Sequence, residues 1–205
     1  MTHVPFETSA GNSMPKLVSP RIYYPIATVK CVGNPVFRTQ AARDFACLLD
    51  VDPNVDRWTC DGVEVVSGGG SYRTDFLATS SEGKTFLVEV DEHHPSPPAW
   101  LPLAARRAGH EYRPVSAQEF ADSIRLQNAK DLLRYGFHRC PLGDRIRLLA
   151  TLDEMTSLTV AEALSVFREG RPMGCLAALV LQGFLEIDLD AALIGPDTTV
   201  RRIRD

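Results

Sequence analysis

The 205-residue sequence predicts an α/β chain, a mixed sheet flanked by helices and then a small α+β unit. Three observations predict it. Short β-branched stretches cluster between residues 55 and 90, bracketed by stretches with helical spacing. A composition change near "FHRCPLGD" marks a linker. Beyond it, three short helical stretches precede two strand-like ones, the order of a winged helix.

The elements follow in chain order. Residues 1–36 are rich in Pro, Ser and Gly and lack a sustained period, which predicts an extended arm with "RIYYPIATVK" as an edge strand. In "FRTQAARDFACLLDVDPNV", Thr39 caps a helix, Ala42, Phe45 and Leu49 share one face, and Asp52-Pro53-Asn54 stops it. "VDRWTC" and "GVEVVSG" read as short strands. "SYRTDFLAT", after Gly68-Gly69-Gly70, and "KTFLVEV", after Ser81-Glu82-Gly83, read as a hairpin. That hairpin brings Asp75 and Glu89 to strand ends that meet at one edge of a sheet. "HHPSPPAWLP" is a proline-rich loop, "LAARRAG" a basic helical stretch and "HEYRPVS" a fifth strand. "AQEFADSIRLQNAKDLLRYG" reads as one helix with Phe120, Ile124 and Leu132 inward and Gly136 at its stop.

After the linker, Leu142, Ile146 and Leu149 mark a helix. Thr159 and Glu162 form a capping box for a second, ended by Gly170. Pro172 opens a third, ended by Gly183. "FLEIDL" and "TTVRRIR", joined by "DAALIGPD", complete a wing-like pair. The chain thus divides into an arm over 1–34, an α/β domain over 35–138 and a winged-helix-like domain over 139–205.

Composition is that of a globular protein, 44% hydrophobic and 23% charged. No apolar run reaches the roughly 18 residues of a membrane span, and the start lacks the basic-then-apolar order of a secretory signal. Five scattered cysteines with no CxxC fit a reduced, cytoplasmic protein. The net charge of −4 excludes a global basic footprint for nucleic acid. The distribution is uneven. Residues 38–98 carry five basic and eleven acidic side chains, and residues 99–140 seven and four. Acid gathers around Asp75 and Glu89, as a cation site requires, and there it repels phosphate unless a cation or a basic rim offsets it.

Cleaving a phosphodiester needs an activated water and stabilisation of charge on the phosphate, which a divalent cation on hard oxygen ligands supplies. Asp75 and Glu89, across a hairpin, can share one Mg²⁺ or Mn²⁺. His93 and His94 follow in a dense ligand cluster, but adjacent side chains on an extended chain point to opposite faces, so a surface loop is the better reading than a Zn²⁺ or Mn²⁺ site. Arg106, Arg107 and Arg113, with Arg125, Lys130, Arg134 and Arg139, suit either phosphate contacts or a solvated face. A base-reading helix should present Arg, Lys, Asn or Gln. "PMGCLAALVLQG" offers only Gln182, with Arg171 before it, and reads as a buried or protein-docking helix. Arg201, Arg202 and Arg204 on the wing can still touch phosphate.

The order of a helix, strands, "YRTDFL", "FLVEVDE" and then "RPVSAQEF…RLQNAKDLLRYG" resembles the N-terminal domain of TnsA-like transposon endonucleases, across roughly residues 35–138. The "DFACLLDVDPNVDRW" stretch is similar to that family's helix and following strand. The resemblance implies a restriction-endonuclease-like PD-(D/E)xK fold, a Mg²⁺ or Mn²⁺ centre and DNA as the partner. It also implies a C-terminal part that engages another protein, such as a transposase, a transposition ATPase or transcription machinery. The family's helix glutamate falls on Ala42, its strand aspartate on Asp75 with Thr74 in place of proline, its next acid on Glu89, and its lysine on Asp91. A methyl group cannot ligate a metal, and Asp91 removes a cation that would offset transition-state charge. A third carboxylate can instead strengthen cation binding, making Asp75, Glu89 and Asp91 the catalytic and metal-ligand candidates. Lys84 lies over about 20 Å away along the strand, so Arg73 and Arg43 are the nearer substitute cations. The DNA-contact candidates are Arg73, Arg106, Arg107, Arg113, Arg201 and Arg202. The expectation is a DNA-binding protein with a degenerate centre, working with a partner in mobile-element DNA processing or transcriptional regulation. The alternative is an active metal-dependent endonuclease.

Overall fold

The computed structural model describes residues 21–60, 63–68, 70–91 and 97–204. Helix α1 spans Gln40–Val51. Thr39 caps it by accepting the Ala42 N–H at 3.0 Å, and Asp52 closes it, as the sequence predicts. Strands β1 (Val55–Cys60), β2 (Glu64–Ser67), β3 (Gly70–Arg73), β4 (Phe76–Ser80) and β5 (Thr85–Asp91) follow. Helix α2 (Leu101–Arg107) then leads to β6 (Glu111–Ser116). The main sheet has the order β1-β4-β5-β6, antiparallel except for the parallel pair β5–β6. A parallel pair needs a crossover, and α2 lies within it. The β4–β5 turn places Gly83 at φ +80°, where a side chain would be strained.

Two expectations about strands change. "SYRTDFLAT" is not one strand: it breaks at Thr74-Asp75, and its first half pairs with β2 in a separate hairpin. "RIYYPIATVK" forms no strand; a single bridge at Cys31 lies against Trp58, flanked by the Trp58 N–H donating to the Lys30 carbonyl.

Side-chain alternation on β5 sets the two faces of the sheet. Phe86, Val88 and Val90 point into a core with Ala42, Ala46, Leu49, Trp58 and Phe76. Leu87 points the other way, into a smaller cluster with Val65, Leu101 and Ala105 beneath α2. The first core is closed by α3 (Ile124–Leu133). The predicted long helix there is instead a 3-10 turn, Ala117–Glu119, and then α3, capped afresh by Ser123. Phe120 and Leu132 are buried as expected, whereas Ile124 is 37% exposed. Gly136 lies beyond the end of α3, where a Cβ would meet Ala27 at 2.7 Å, so its role is close approach.

The C-terminal part comprises α4 (Leu142–Met155), β7 (Ser157–Thr159), α5 (Val160–Val166), α6 (Pro172–Leu181), β8 (Leu185–Ile187) and β9 (Thr199–Arg202). The capping box of Thr159 with Glu162 is present. Strand β7 adds an unpredicted third member to the sheet, in the order β7-β9-β8. The inward face of α4 differs from the expectation: Leu142 and Ile146 are exposed, and Asp144, Leu148 and Leu152 are buried. Helix α6 buries Gly174 through Leu179 and is a core helix. Asn128 of α3 joins the two parts. It donates to the carbonyls of Leu189 and Ala192 at 2.9 and 2.8 Å and accepts the Ile194 N–H at 2.9 Å. Six α-helices and a mixed sheet occur among the described residues, an α/β fold. Among them no helix is long and apolar enough to cross a membrane.

Candidate functional site

The β4–β5 register pairs Phe76 with Val88. Continued by one residue, it sets Asp75 opposite Glu89, and the Val90 N–H donates to Asp75 Oδ2 at 2.9 Å. Glu89 shares its face of β5 with Leu87, beneath α2 and the β2–β3 hairpin. The two carboxylates are 8% and 5% exposed. Two buried acids side by side are unfavourable without a cation.

The cation is Arg38. Its Nε donates to Asp75 Oδ1 at 2.7 Å, and its Nη2 lies 3.3 Å from both carboxylate oxygens of Glu89. Tyr72 donates its hydroxyl to Glu89 Oε1 at 2.9 Å. All four carboxylate oxygens therefore accept a hydrogen bond, three of them from Arg38. Arg38 is held from both sides in sequence. Phe37 packs on Trp58 and Phe76, and Thr39 caps α1. Tyr23 also donates its hydroxyl to the Arg38 carbonyl at 3.0 Å. The guanidinium side chain remains 47% exposed.

Burial pushes the Glu89 carboxyl above its ordinary value; the Asp75 charge adds to the shift, and Arg38 and the Tyr72 hydroxyl oppose it. Burial and the bond to Glu89 raise the Tyr72 phenol. Burial and the charges of Glu89, Asp75 and Asp91 push the Tyr112 phenol to about 12. Both phenols are therefore neutral at neutral pH, and the Tyr72 hydroxyl donates its hydrogen bond to Glu89. The Tyr112 hydroxyl is buried with no hydrogen-bond partner among the described residues.

The other predicted residues lie elsewhere. Asp91 ends β5 on the Glu89 face, exposed and opposite Ser116 of β6. Ala42 lies in the core on the other side of the sheet. Arg43 is not a substitute cation. It is fully buried, donates to the carbonyls of Pro25 and Ala27 at 2.7 Å each, and sits over the Phe37 ring. Arg73 lies on β3, 3.9 Å from Glu64 and exposed. Arg106 and Arg107 are exposed in the last turn of α2. Arg113 stacks 3.5 Å from the Phe86 ring centre, on the face opposite the acids, and pairs with Glu111. On β9, Arg201 is exposed and Arg202 pairs with Asp153. Lys84 pairs with Glu82 at the far end of β5. His93 and His94 lie outside the described residues.

Arg38 is not among the site residues that the sequence predicts. Its signal was the "FRT" triplet, an arginine between a core aromatic and a helix cap, both of which fix its backbone. A divalent cation needs carboxylate oxygens free to ligate it. With Arg38 in place these residues do not fit one, because its guanidinium already offsets their charge and donates to three of the four oxygens. Among the described residues no three His, Cys, Asp or Glu side chains come together as a metal-ligand set. No protein-family model matches the chain, and no curated protein matches it significantly.

Proposed function

We propose that the chain is a DNA-binding protein with a TnsA-like nuclease fold, a degenerate metal centre and a partner-binding C-terminal domain. It acts in mobile-element DNA processing or transcriptional regulation. The observation that carries this reading is the Arg38 guanidinium bridging Asp75 and Glu89, the two positions where the motif resemblance implies a metal. Ala42 in the core and Asp91 in the lysine position point the same way. Exposed Arg106, Arg107 and Arg201 are available to phosphate. Three helices with a three-stranded sheet suit a winged-helix-like unit. Because α6 is a core helix, that unit would hold backbone or partner surfaces and would not read bases through α6. Five free cysteines suit a reducing compartment such as the cytoplasm.

Fluorescence anisotropy on duplex DNA tests the binding. Affinity should fall steeply with salt, and Arg106→Glu/Arg107→Glu should weaken it and flatten the salt slope. Salt-independent or undetectable binding would refute the reading. The retained pair at adjacent strand positions supports a second reading, an active endonuclease using Asp75, Glu89 and Asp91. Metal-dependent nicking that Asp75→Ala removes would establish it.

A further inference from the structure

We infer that Arg38 is a built-in counter-cation that excludes divalent metal from the Asp75–Glu89 pair, and that its removal would create a cation site there. The inference rests on the reading of a degenerate centre, but it needs no DNA to be tested.

A guanidinium presents several N–H donors in a fixed fork that matches paired carboxylates. Here that fork serves both acids at once, with one contact at 2.7 Å and two at 3.3 Å. A metal ion ligated by Asp75 Oδ1 or by Glu89 would have to take those same oxygens.

Arg38 is attached to the folded chain between Phe37, packed on Trp58 and Phe76, and the helix cap Thr39. Its charge is therefore present at a high effective concentration that no dilute ion matches. Mg²⁺ is further disfavoured because it sheds its waters reluctantly.

Without Arg38 the charge balance of the pair changes. Asp75 and Glu89 would be left buried and close, with only Tyr72 and the Val90 N–H as partners. Such a pair either takes up a proton or binds a cation.

Isothermal titration of MnCl₂ into the full chain, without DNA, tests this. The wild type should show no saturable binding at the pair. Arg38→Ala should show saturable Mn²⁺ binding, at least about tenfold tighter than the weakest binding the titration can detect, and a second change, Asp75→Asn, should abolish it. Arg38→Gln serves if the alanine variant fails to fold, because its amide retains bulk and donors without the charge. Arg38→Lys should bind Mn²⁺ less well than Arg38→Ala, since it retains the charge. Saturable Mn²⁺ binding by the wild type that Asp75→Asn removes would overturn the inference. So would a wild type and charge-neutral variants that are equally silent, because Arg38 would then not be what excludes the ion. Failure to bind DNA leaves these titrations unaffected, so the two readings fail separately.

Discussion

Arg38 is worth more to this fold than a surface arginine ordinarily is. Exposed ion pairs contribute about 0–1 kcal/mol, whereas stranding buried charges costs about 3–5 kcal/mol. Arg38 is half-exposed but its partners are buried, so Arg38→Ala should cost about 1–3 kcal/mol at neutral pH. The pH dependence has a definite sign. Glu89 has a raised value in the folded chain, so its favourable contribution is fully present below the ordinary glutamate value and is lost as pH rises through the raised one. Removing Arg38 takes away a charge that opposes this rise, so the variant's deficit should be largest at neutral pH and shrink in mild acid. Urea midpoints of both proteins across pH would reveal a constant difference if this were wrong. Tyr72→Phe removes one neutral donor to Glu89 and should cost less, about 1 kcal/mol. The two acids were legible in the sequence, because strand alternation and hairpin spacing are local. Their cation was not, because Arg38 reaches them from 37 and 51 residues away.

Local signals located most elements, and the departures have physical causes. Thr39, Pro172 and the Thr159–Glu162 box predicted helix starts because capping is short-range chemistry. The break at Thr74-Asp75 has no local signal, because "SYRTDFL" has good strand character throughout. Only tertiary pairing sends its halves to different sheets. On α4, apolar periodicity chose Leu142 and Ile146 over the buried face, because Asp144 is itself part of that face. Asp144 accepts the N–H groups of Arg168, Glu169 and Gly170 and pairs with Arg147. Burial alone would raise its pKa; these donors together outweigh burial and hold it well below the carboxylate range. Its stabilisation is therefore present above the ordinary aspartate value and lost as pH falls through the depressed one. Asp144→Asn should lower the melting temperature at neutral pH and shrink that loss in strong acid. An unchanged melting profile would remove Asp144 from this role. Where α4 meets β7, Thr156 holds φ +68°, a conformation that is costly for a β-branched residue. Thr156→Gly should stabilise the protein by about 1 kcal/mol, measured by chemical unfolding.

The molecule as a whole depends on a junction that neither part's sequence announces. Asn128 is 1% exposed and satisfies two carbonyls and one N–H of the 189–194 loop. Arg125 adds an ion pair to Asp190 at 2.7 Å. Asn128→Leu would strand those backbone groups at a cost of about 1–3 kcal/mol. It should also open the loop to limited proteolysis before global unfolding; cleavage no faster than in the wild type would count against the junction. The proposal that this protein binds DNA without cutting it is tested most directly by incubating the wild type with supercoiled plasmid and Mn²⁺ at concentrations that saturate binding. The plasmid should remain supercoiled while bound. Nicking that requires Mn²⁺ and disappears in Asp75→Ala would contradict the proposal and show that the acid pair is still catalytic.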